Sequence, residues 1–143
     1  MTHRSLLGLA CGAMIWAPSC SSGEYDFSAT HHFGRVEVTI GLKSVSALAE
    51  YKQFAIIRFS GKEPSVIELF EDTGGYASVD VERDSCCIFL RTPLGNDAVR
   101  IDEATAKIQV VPLTSLGAGA TLVGQFNFER YSGSEYQYFP TSQ

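Results

Sequence analysis

Histidine and cysteine carry most metal sites and many hydrolytic centres, and both are scarce here. The 143-residue chain has three histidines and four cysteines. His3 and Cys11 fall in the first twenty residues, so only His31, His32 and a few cysteines remain for a folded domain. That shortage leaves a serine or cysteine triad with little material, and no Gly-x-Ser-x-Gly elbow is present. Lysine and arginine are also in the minority, eleven against sixteen acidic residues. Without a basic cluster the chain lacks the electrostatic footprint of a nucleic-acid binder. Long apolar runs are missing too. The longest, Ser5–Ala17, stops well short of the roughly 20 residues that span a bilayer.

That short run belongs to a recognisable arrangement. Arg4 and the free amine make a positive start, the apolar stretch follows, and Ala17, Ser19 and Cys20 are small. A charged start, about 7–15 apolar residues and a small-residue cleavage site together describe a secretory leader. The end of the segment, Ala17-Pro18-Ser19-Cys20, resembles a bacterial lipobox. The resemblance implies cleavage before Cys20, lipidation of that cysteine and a polar tether through Ser21-Ser22-Gly23-Glu24. Residues 1–19 are therefore expected to be a leader, 20–33 a tether and N-terminal segment, and 34–143 one domain. A lipid chain holds such a domain on a membrane surface, not across it. All sixteen acidic residues lie beyond Cys20, so ten basic residues against sixteen acidic ones leave a formal charge of −6.

What the chain has in quantity is alternation. In Gly34–Gly41, Val36, Val38 and Ile40 share one face while Glu37 and Thr39 take the other, the period-2 pattern of a half-buried strand. Similar runs recur at 53–60, 65–71, 76–82, 86–92, 98–102, 105–111, 121–131 and 135–140. Turn compositions such as Gly61-Lys62-Glu63-Pro64 and Ser132-Gly133-Ser134 separate them. About nine short strands spaced in this way predict an antiparallel β-sandwich or small barrel. At most one short helix is expected, near residues 44–53, where Val45, Leu48 and Ala49 could share a face.

Few motifs promise chemistry. Asp72-Thr73-Gly74 resembles the catalytic turn of retroviral-type aspartic proteases, with Leu122-Val123-Gly124 in the place of their later apolar-apolar-glycine strand. The resemblance implies a dimer in which two Asp72 carboxylates share a proton. Read as residues, Asp-Thr-Gly-Gly between two alternating strands is a hairpin turn, and that reading is preferred. His31 and His32 are adjacent, so on an extended segment they point apart and do not chelate one metal; both are expected as exposed polar residues. In Leu116–Gly124 a Gly-x-Gly start fails as a phosphate loop because Leu122 stands where the third glycine is needed. No metal or cofactor is expected. The aromatic residues gather in the last hairpin, where Tyr131, Tyr136 and Tyr138 form a candidate binding surface if they face outward.

Cys86 and Cys87 are left with only each other. In a regular strand adjacent side chains diverge, so a bond between them is not expected. Cys86 is expected in the core with Ile88 and Leu90, and Cys87 as the more exposed thiol. Taken together, the residues predict an exported, lipid-anchored protein of the bacterial cell envelope. It is expected to act as a non-catalytic binding or structural module, with an inhibitor or immunity-type protein as the sharper version of that reading. The expected partner is a protein or carbohydrate of the envelope, with no nucleic acid, and with the membrane only through Cys20. Dimeric proteolysis through Asp72 is the alternative.

Overall fold

A computed structural model describes residues 24–45, 50–69, 77–129 and 135–142. The chain forms two antiparallel sheets, the architecture of a β-sandwich. The first contains β1 (Phe27–Phe33), β2 (Val36–Ser44), β3 (Tyr51–Phe59) and β4 (Ser65–Glu68), paired in sequence order. The second is built from β5 (Val79–Arg83), β6 (Cys87–Arg91), β7 (Asp97–Asp102), β8 (Lys107–Pro112), β9 (Thr121–Phe128) and β10 (Tyr136–Pro140). Its order is β10-β9-β5-β6-β7-β8, so the C-terminal hairpin attaches to the outer side of β5. No α-helix occurs among the described residues; Leu113–Ser115 makes a single 3-10 turn.

Alternation decides which face each strand buries. Val36, Val38, Ile40 and Leu42 of β2 are fully buried, as are Ala55 and Ile57 of β3. They meet Val79, Val81, Ile88, Leu90, Ile101 and Phe126 from the second sheet, and these residues form one core. Burying a side chain of this size is worth about 1.5–3 kcal/mol, so the inward rows of these six strands set the packing of the two layers. A one-residue slip in any of them would turn its apolar row to water.

Two features differ from the sequence expectation. Phe27–Phe33, inside the segment expected to precede the domain, forms β1 and pairs along its whole length with β2. Its inward row is Phe27, Ala29, His31 and Phe33, and the histidine in that row hides the apolar pattern. The span 44–53 was the helix candidate, but Ser44 ends β2 and Tyr51–Gln53 begin β3. The Val45 N–H donates to the Glu50 carbonyl at 3.0 Å, closing the connection between the strands. Residues 46–49 lie outside the described residues. Val45 itself is exposed and packs no helical face.

Candidate functional site

Three turns converge at one end of the sandwich. Gly34-Arg35 joins β1 to β2, Asp84–Cys87 joins β5 to β6, and Glu103–Ala106 joins β7 to β8. Gly34 has a φ of +58°, which a side chain rarely adopts, and a Cβ there would come within 2.9 Å of Oε2 of Glu103. Glycine thus allows the first turn to lie against the third. Glu103 also accepts a hydrogen bond from Arg83 Nη2 at 2.6 Å, tying the third turn to the end of β5. The turns enclose an open hollow of about 460 Å³ lined by Arg35, Arg83, Ser85, Cys86 and Glu103.

The second turn corrects the cysteine expectation. Cys86 and Cys87 are bonded to each other through their sulfurs. β6 starts at Cys87, so the alternation rule does not reach Cys86, which occupies the hairpin turn with Ser85. Asp84 Oδ1 accepts from the N–H of Cys86 at 2.9 Å and of Cys87 at 2.8 Å, an Asx turn that sets their backbone. Burial is also reversed: Cys87 is fully buried, and Cys86 is the exposed one. Both faces of β6 are covered, which the charge at Arg91 concealed in the sequence. Arg100 from β7 lies beside the bond, with Nε 3.4 Å from Cys87 Sγ and Nη2 3.8 Å from Cys86 Sγ. Asp84, Cys86 and Cys87 bring ligand-type atoms within 4.8 Å of one another, but the joined sulfurs offer no thiolate to a metal.

A second surface covers the outside of the four-stranded sheet, where outward residues form three rows. One is charged: Glu37 pairs with His32 at 3.6 Å and with Arg58 at 3.7 Å. The middle row crosses all four strands as Thr30, Thr39, Ile56 and Val66, with the two threonine hydroxyls hydrogen-bonded at 2.7 Å. In the third row Tyr25 lies over Gly41, its ring 5.5 Å from that of Phe54, and Glu68 follows with its partner Lys52 at 3.7 Å. Val66 is 57% exposed, while Phe54 and Ile56 are half-buried. An apolar centre is thereby framed by ion pairs.

The tyrosines expected to form a binding surface are used differently. Tyr136 is buried, and its hydroxyl donates to the Ala77 carbonyl at 2.7 Å. Burial pushes its hydroxyl far above the usual phenol range, so it stays a donor. Tyr138 crosses the ladder to cover Gly124, stacks on His31 with ring centroids 3.9 Å apart, and donates to the Val123 carbonyl at 3.2 Å. Val123 is bulged between Leu122 and Gly124, which face Glu82 and Val81. Leu122-Val123-Gly124 is therefore an irregular stretch of β9. Tyr131, Asp72 and Cys20 lie outside the described residues.

His31 departs from the exposed histidine expected of it, whereas His32 on the opposite face is open to solvent. Burial, and after it the neighbouring His32, holds the His31 ring below its ordinary pKa of 6.5. The fold thus favours the neutral ring. The resulting stability is complete above about pH 6.5 and is lost as the pH falls from there through the folded-state value. Thermal unfolding of the wild type should lose more between pH 7 and pH 5 than His31→Phe does. Parallel curves for the two proteins would contradict the assignment.

Comparison with known proteins finds no matching family model, no matching curated protein and no matching solved structure. The residues that build these two surfaces (Gly34, Arg100 and Glu103 at the turns, Ile56 and Val66 on the sheet) had no motif to mark them. A glycine between alternating runs and an outward isoleucine opposite a valine were the only signals, and both need the strand pairing to be read.

Proposed function

We propose that the protein is an exported, lipid-anchored module of the bacterial cell envelope that works by binding another protein, not by catalysis. The observation that carries this reading is the outer face of the four-stranded sheet. Phe54, Ile56 and Val66 form an apolar centre there, with Glu37–Arg58 and Lys52–Glu68 as a charged rim. Apolar centres inside polar rims are the common anatomy of protein–protein interfaces. A protein partner is favoured over a carbohydrate because Tyr136 is buried and Tyr138 is packed against His31, so neither offers a ring platform. The export and the anchor rest on the leader pattern and Cys20. They place the module at a membrane surface, where tethering raises the effective concentration of a neighbouring partner.

The test compares three forms of the chain in capture from envelope extracts. Wild type and Val110→Glu, a change at an exposed site on β8, should retain the same protein partner. Ile56→Glu/Val66→Glu should lose it while keeping the wild-type circular dichroism spectrum. Retention by the double variant would refute the surface, and retention of oligosaccharide alone would refute the partner class.

A further inference from the structure

We propose that the Cys86–Cys87 disulfide is a thiol-exchange site, opened by a dithiol whose first thiolate attacks Cys86 Sγ. This is independent of the sheet surface and concerns the disulfide found among the described residues. Three observations carry it. The two sulfurs differ in access, since Cys86 is exposed and Cys87 fully buried. Cys86 opens into the hollow lined by Arg35, Arg83 and Glu103. Glu103 pairs with Arg83, so two arginines against one glutamate leave a net positive wall that favours approach of an anionic thiolate. Arg100 places Nε 3.4 Å from Cys87 Sγ, the sulfur that must leave.

The step balances as ordinary exchange. The incoming thiolate forms a bond to Cys86 Sγ while the Cys86–Cys87 bond breaks, and the electron pair moves onto Cys87 Sγ. A thiolate at a buried position needs a cation beside it, and the Arg100 guanidinium supplies one. The second thiol of the dithiol then attacks its own sulfur in the mixed disulfide, freeing Cys86. The dithiol leaves as a disulfide, having passed two electrons and two protons to the cysteine pair.

The acidic groups around the bond are already engaged. Asp84 Oδ1 accepts two backbone N–H groups. Asp102, opposite Cys87 in the ladder, accepts from the N–H groups of Ala104 and Thr105. Glu103 is paired with Arg83. Arg100 is thus the charged group in hydrogen-bond contact with both sulfurs.

The experiment uses the full chain with glutathione as a monothiol probe. After a short reaction the sample is acid-quenched, denatured and alkylated with N-ethylmaleimide, and the peptide holding both cysteines is fragmented. The glutathione adduct is expected on Cys86 and the maleimide on Cys87. An adduct on Cys87, or an equal division, overturns the proposal without any variant. Opening by dithiothreitol should be about tenfold slower in Arg100→Gln, one tenfold step of lost leaving-group stabilisation. Arg100→Lys should restore most of the rate, since a merely structural role would not be rescued by charge. Equal rates for wild type and Arg100→Gln would remove Arg100 from the mechanism and overturn the proposal as stated.

Discussion

Phe126→Ala should destabilise the protein by about 3–5 kcal/mol, the usual cost of removing a fully buried aromatic ring. Phe126 is the largest fully buried side chain among the described residues. It sits on β9 opposite Val79 and Tyr138, where the C-terminal hairpin joins the rest of the second sheet. Its ring also lies 5.0 Å from that of Tyr138, so truncation leaves a cavity that borders the hairpin's own packing. The loss is a large share of the roughly 5–15 kcal/mol that a domain has in total. Urea unfolding should show a lower midpoint with an unchanged slope. A change below about 1 kcal/mol would mean that β9 does not hold the sheet together, since a buried ring cannot be removed so cheaply.

Gly124→Val should cost about 1–3 kcal/mol through overpacking, and it should also erase an electrostatic signature. A side chain at this position collides with the Tyr138 ring and hydroxyl, which lie directly across it. Tyr138 has little room to retreat. It stacks on His31, meets Phe33 edge-on at 5.4 Å and donates to the Val123 carbonyl. Displacing it uncovers His31, whose ring then returns toward its ordinary pKa. The variant should therefore lose both stability and the extra acid sensitivity that His31 gives the wild type between about pH 6.5 and the folded-state value. Stability that falls while the His31 contribution persists would show that Tyr138 is not what covers the histidine. In the converse variant, Tyr138→Ala, a later change of Gly124 to alanine should cost little, because the space is already open.

The strands whose inward positions are all apolar, β2 foremost, could be read from alternation, and they fixed the all-β class. The segment β1 was not legible because His31 occupies an inward slot, and only its stack on Tyr138 makes that slot favourable. The cysteine pair departs from its expected placement for a different reason. A strand boundary falls between Cys86 and Cys87, and one residue decides whether alternation applies. Asp84, two residues before Cys86, was the available signal for that turn. The end of the sandwich that gathers Gly34, Arg83, Cys86, Arg100 and Glu103 could not be read at all. Its members come from three separate hairpins, and a single sequence carries no record of which turns share an end. Tyr136 and Tyr138 show the limit of composition in the same way, since the aromatic cluster was visible but not the direction each ring faces.

The proposed lipid anchor would hold the module on a membrane surface, an oxidising setting that suits both a tethered protein interaction and a disulfide. The most direct test is mass spectrometry of the N-terminus of the chain purified from the membrane fraction of its own cells. The expected result is a chain beginning at a lipid-modified Cys20. A chain in that fraction beginning at an unmodified Met1 would contradict it.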